Sequence, residues 1–269
     1  MTDKTHSRLF SRSAVVALAL VLGACASGPK DGDIQGSAEK LYADAKDDIA
    51  SGAWDAAAKL LERVEGRAGG TLLAQQSQLD LAYVYWRAGE KAQALSTLDR
   101  FIKLNPSSPG LDYALYLRGL VNFNDNLGLL GFLSGQTLSE RDQQASRDAY
   151  QSFRQLAEQF PESKYTPDAK LRMDFIVNAL SEYEVHVARY YLRKGAFVAA
   201  ANRAQQALTS YPQTPATEEA LFIMIRAYDK LGLTPLRDDA DRLLRLNFPN
   251  SGFLAEGKSA DSRPWWKLW

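Results

Sequence analysis

The sequence predicts an all-α protein, an α-solenoid of about five helix-turn-helix repeats. Three observations predict it. A stretch from Gln76 to Pro109 reads as helix, turn at Gly89, second helix and proline stop. Within it Ala82, Gly89 and Ala94 form a frame of small residues, with Tyr85, Leu98 and Phe101 filling the space around the alanines. The same frame recurs upstream at Ala45, Gly52 and Ala57 and downstream at Ala188, Gly195 and Ala200.

A unit of about 34 residues carrying this frame three times has the signature of tetratricopeptide repeats, which stack so that each buries a face the next one needs covered. Most arrays of this kind bind other molecules. Lys and Arg together number 32, as do Asp and Glu, so no bulk field points to nucleic acid. The single cysteine, Cys25, excludes an intramolecular disulfide and a thiolate zinc site.

Residues 1–24 read as a lipoprotein signal peptide. Lys4, Arg8 and Arg12 precede an apolar run from Ala14 to Leu22, too short to span a bilayer but right for a signal-peptide core. The run ends Leu22-Gly23-Ala24-Cys25, which resembles a bacterial lipobox and makes Cys25 the lipidation site; an ordinary secretory cleavage site beside an incidental cysteine is the alternative. Ala26 after the cysteine resembles the outer-membrane sorting pattern. Residues 25–36, rich in Gly, Ser, Asp and Lys, read as a tether between lipid and fold.

The repeats follow in order. The first is expected to start at Ser37 as N-cap and to end at Gly69-Gly70; the second is the stretch described above. In the third, Gly119 takes the place of Ala82, and an insertion at residues 124–144 stands where the turn should be. That insertion reads either as a loop packed on the side of the array or as an apolar binding loop. These three repeats, residues 37–165, form an N-terminal group. Residues 166–250 form a C-terminal group, in which the fourth repeat has a long first helix and the fifth a degenerate frame with Ala240 out of register. Pro106, Pro161, Pro212 and Pro249 each close a second helix. Residues 251–269 make a tail with Trp265, Trp266 and Trp269, either folded back on the array or a docking or membrane-interface peptide.

Catalysis finds little support. His186 has no second histidine or thiol to work with, and no nucleophile, phosphate-loop or metalloprotease motif is present. Asp47-Asp48 and Glu218-Glu219 read as solvated surface pairs. The expectation is a non-enzyme without metal or cofactor.

The segments RFIKLNPSSPGLDYALYLRGL, GQTLSERDQQ and ARYYLRKGAFVAAANRAQQAL, together with the lipobox, resemble the BamD (ComL) family of outer-membrane assembly lipoproteins over roughly Ser37 to Asn250. The resemblance implies a subunit of the β-barrel assembly machinery, anchored by lipid to the periplasmic side of the outer membrane. Its implied partners are the POTRA domains of BamA, other Bam lipoproteins and unfolded β-barrel substrates. A scaffold for another cell-envelope or secretion complex remains the alternative. The tryptophan-rich tail departs from the family pattern.

Two sets of site residues follow. Arg203 is the only charged residue on the alanine-rich helix from Phe197 to Leu208. It needs a carboxylate, either from the third or fifth repeat or from a POTRA partner. In the expected concave groove, Tyr42 and Lys46 come from the first repeat, and Leu79, Tyr83, Trp86 and Arg87 from the second. Tyr113, Tyr116 and Phe123 come from the third. Six aromatics and two cations suit an extended peptide with aromatic side chains and a free C-terminal carboxylate. The alternative is that the long helix of the fourth repeat covers these rings.

Overall fold

The computed structural model describes residues 31–123 and 143–256. The signal peptide, Cys25, the tryptophans of the tail and nearly all of the insertion lie outside these residues. The described chain is helical throughout and divides into two compact units, Met1–Ser108 and Pro109–Trp269. The expected grouping placed the third repeat with the first two; the structure places it with the fourth and fifth.

Unit 1 contains α1 (Asp31–Ser51), α2 (Trp54–Arg67), α3 (Leu72–Arg87) and α4 (Lys91–Leu104). Each packs on the next, and α1 also meets α3. Helix α1 begins six residues before Ser37, inside the expected tether, so Ser37 is not an N-cap. Its hydroxyl instead accepts from the guanidinium of Arg67 on α2. The helix thus takes in residues 31–36 of the expected tether, while residues 25–30 lie outside the described residues.

Unit 2 contains α5 (Leu111–Asn122), α6 (Gln143–Gln159), α7 (Thr166–Arg193), α8 (Phe197–Ser210), α9 (Ala216–Leu231), α10 (Thr234–Asn247) and the short α11 (Gly252–Glu256). Helix α7, at 28 residues, packs on α6, α8 and α9.

The small-residue frame is steric. Ala45, Ala57, Ala82, Ala94, Ala149, Ala188 and Ala200 are all fully buried, because side chains no larger than methyl let two helix backbones approach. Gly119 is the extreme case: a Cβ there would lie 2.3 Å from the ring of Phe153 on α6. Gly52, Gly89, Gly195 and Gly232 have φ between 71° and 84°. At each, the residue after the glycine donates its N–H to the carbonyl four residues before the glycine, as in Glu90 to Tyr85. A left-handed residue closing a helix in this way is most easily glycine. The fifth repeat, irregular in its alanines, thus keeps the regular turn, and Ala240 is buried despite its displaced register.

Each closing proline stands two residues past its helix, as Pro106 does after Leu104. The residue two further on is Ser or Thr. Three of these hydroxyls reach back to the first helix of their own repeat: Ser108 to Gln75 at 2.8 Å, Ser163 to Asp112 at 2.6 Å, and Thr214 to Ser181 at 2.7 Å. A Pro-x-Ser/Thr spacing recurring after the second helix of repeats two to five was the signal for these clamps.

Candidate functional site

Six of the nine groove residues lie in unit 1. Asp80 on α3, 8 % exposed, collects three donors: Tyr42 Oη at 2.7 Å, Lys46 Nζ at 3.2 Å and Gln76 Nε2 at 3.3 Å. Burial, reinforced by the Asp80 carboxylate, pushes the Tyr42 phenol well above its ordinary value. Tyr42 and Lys46 therefore hold α1 to α3 through an acid that the sequence reading did not single out. Leu79 is 4 % exposed, so it belongs to the helix interface and lines no open groove.

The remaining three unit 1 residues, Tyr83, Trp86 and Arg87, meet a third ring. Trp54, at the start of α2, stands edge-on to Tyr83 with centroids 6.4 Å apart, and Tyr83 is edge-on to Trp86 at 6.1 Å. The exposed Arg87 guanidinium lies 5.0 Å from the Trp54 ring and 5.7 Å from Tyr83, and its Nη1 donates to Tyr83 Oη at 2.8 Å. The hydroxyl and the two rings fix the plane of the cation. The outcome is a half-buried aromatic platform with an oriented charge at its edge, able to stack a ring and to pair with a carboxylate. Trp54 joins it because the turn at Gly52 delivers the start of α2 beside α3.

On the other side of α3, Tyr85 donates to Glu62 at 2.6 Å, and Arg100 pairs with Glu65 at 3.1 Å, around an open cavity of about 740 Å³. Burial and then Glu62 push the Tyr85 phenol up to about 12. A folded-state value above the unfolded value of about 10 means stability fully present below pH ~10 and lost as pH rises toward 12. Tyrosinate absorbance should show a group titrating near 12 that Tyr85→Phe removes, with a shallower alkaline loss of stability in that variant.

The three groove residues of unit 2 are engaged by the fourth repeat. Tyr116 stacks on Tyr165 at 4.8 Å and 17°, and Tyr113 lies 5.5 Å from the same ring. Tyr116 Oη donates to Asp168 at 2.8 Å, and Arg172 Nε donates to the same carboxylate at 2.6 Å. Phe123 is edge-on to Phe153 and Phe175, with the Arg172 guanidinium 4.8 Å from its ring. Although burial pulls the other way, the hydrogen bonds from Arg172 and Tyr116 hold Asp168 below the usual carboxylate range. Tyr113, Tyr116 and Phe123 are thus packing residues beneath α7 and its lead-in, the covered alternative rather than an open lining.

Arg203 on α8 has its carboxylate within the fourth repeat. Nη1 donates to Glu184 on α7 at 3.0 Å; Glu184 is 2 % exposed, while the arginine side chain keeps 41 %. The expected acid of the third or fifth repeat is not the partner; α7 of the same repeat supplies it. Glu219 also departs from a solvated reading: Arg189 on α7 grips it with two bonds, of 2.6 and 2.7 Å. His186 lines a cavity of about 400 Å³ beside this pair.

The family model for YfiO, described as an outer membrane lipoprotein, matches residues 34–243. The chain belongs to this family. The outer membrane protein assembly factor BamD of Neisseria meningitidis serogroup A is 48 % identical over 94 % of this chain and 97 % of its own. That of Neisseria gonorrhoeae is 47 % identical over the same shares. That of Vibrio cholerae is 34 % identical over 87 % of this chain and 97 % of its own. These relatives place the chain in the BamD family over nearly its whole length.

Proposed function

We propose that this protein is a non-catalytic, lipid-anchored subunit of the outer-membrane β-barrel assembly machinery. The observation that carries this reading is the 48 % identity to an outer membrane protein assembly factor over nearly the full length of both chains. Cys25 is the acylated residue, on the lipobox Leu22-Gly23-Ala24-Cys25, and it holds the repeats on the periplasmic side; multiple acyl chains anchor firmly where one does not. Intact mass of detergent-purified protein should give a chain starting at lipidated Cys25. A Cys25→Ser variant that stays in the membrane fraction with the signal removed would overturn the anchor.

Unit 1 receives unfolded barrel substrates. The platform of Trp54, Tyr83, Trp86 and Arg87 supports this, since stacked rings beside an oriented guanidinium match an aromatic residue followed by a free carboxylate. With roughly 1 kcal/mol for each lost ring contact, Tyr83→Ala with Trp86→Ala should weaken a peptide ending in an aromatic residue by about tenfold or more. Arg87→Ala should abolish the preference for a free over an amidated terminus. Unchanged affinity in both, measured by fluorescence anisotropy, would move the substrate site elsewhere. Unit 2 holds BamA, with the outward part of Arg203 contributing to the contact.

A further inference from the structure

An array of stacked repeats needs a polar face where stacking ends. Helix α10 is charged along much of its exposed surface but leaves one stripe of it apolar. Leu233 in its lead-in is 42 % exposed, and Leu236, Leu243 and Leu246 along the helix are 47, 43 and 75 % exposed. They lie beside the buried strip of Ala240 and Leu244 and extend it outward. Bordering the leucines, Arg245 is held flat on Asp241 by bonds of 2.7 and 3.1 Å, and Arg242 pairs with Asp239 at 2.8 Å. A leucine stripe flanked by guanidinium planes whose edges are already engaged suits indole rings, which are apolar in body and attract cations to their faces.

The chain itself supplies such rings. After α10 it turns into α11, where Phe253 stacks on Phe222 of α9 at 4.8 Å and 22°. That stack holds the departing chain beside the last helix pair. Residues 257–264 follow, and eight extended residues reach about 26–29 Å, more than the about 21 Å length of a 14-residue helix. Then come Trp265, Trp266, Lys267, Leu268 and Trp269. We propose that this segment, residues 265–269, is the occupant of the leucine stripe of α10 and caps the repeat array in cis. A tether this short sets an effective concentration in the millimolar range, so modest contacts suffice to keep the cap in place.

The test uses the full mature chain with its one cysteine replaced, Cys25→Ser, and a cysteine pair installed by Leu243→Cys and Trp266→Cys. Mild oxidation should give a disulfide within one chain at a rate independent of protein concentration. The indole emission contributed by residues 265–269, taken as the difference from a chain lacking them, should be blue-shifted and move to the red in Leu236→Asp with Leu246→Asp. Disulfides that form only between chains and rise with concentration would overturn the proposal in favour of a second copy. Emission at the fully hydrated position, shifting only when anionic phospholipid vesicles are added, would overturn it in favour of a membrane surface. Hydrated emission unmoved by vesicles or by the leucine substitutions would overturn it outright.

Discussion

Phe153→Ala is expected to lower stability by about 3–5 kcal/mol, the usual cost of emptying a buried phenylalanine site. Phe153 is fully buried, meets Phe123 edge to face and Tyr116 at a tilt, and leaves no room for a Cβ at residue 119. By calorimetry the thermal midpoint should fall by about 10 °C. The partner substitution is more diagnostic. Gly119→Ala gains about 1 kcal/mol of helix propensity, yet the added methyl requires a packed ring to move, at about 1–3 kcal/mol, so the net change should be unfavourable. Combining Gly119→Ala with Phe153→Leu should cost less than the two changes summed, because the smaller side chain vacates the space the methyl needs. Strict additivity would mean the two residues do not meet.

The second large effect concerns the pair in the fourth repeat. Arg203→Met should cost about 2–3 kcal/mol, because it leaves the Glu184 carboxylate at 2 % exposure without its cation. This is less than the about 3–5 kcal/mol for breaking a fully buried pair, since water reaches the arginine. Adding Glu184→Gln should recover most of the loss, an amide being far cheaper to bury than an unpaired charge. Urea midpoints of the four proteins measure the coupling, and zero coupling would rule the pair out as a stabilising contact. The double variant also isolates the proposed BamA contact. If it is as stable as the parent and binds BamA at full affinity, Arg203 takes no part in that interface.

The positions that the sequence determines through sterics were legible. A small residue at Ala45, Ala82 or Gly119 has one physical use in a helix pair, and a glycine seven residues after the alanine has one use in a turn. Proline two residues past a helix is equally local. What could not be read depends on which side chains meet across helices. Asp80 ties down Tyr42 and Lys46 from 38 and 34 residues away, so two residues assigned to a ligand hold helices together instead. The third-repeat rings satisfied the groove spacing, yet the first turns of α7 bring Asp168, Arg172 and Phe175 to them. Arg203 needed an acid, as its alanine surroundings required, but spacing alone could not choose between neighbouring repeats and its own.

The Pro-x-Ser/Thr clamps bear on where this chain can grow. In the third repeat, Ser163 bonded to Asp112 fastens the far end of the helix pair, and Phe153 seated on Gly119 fastens its middle. The turn that joins the two helices elsewhere is then spare as a structural element. Going from a connection of two residues to one of about twenty raises the entropy of closure by only about 2 kcal/mol, less than the packing of one buried phenylalanine. The span between Phe123 and Gln143 can therefore change in length while the Ser163–Asp112 clamp and the Phe153–Gly119 contact keep the two helices paired.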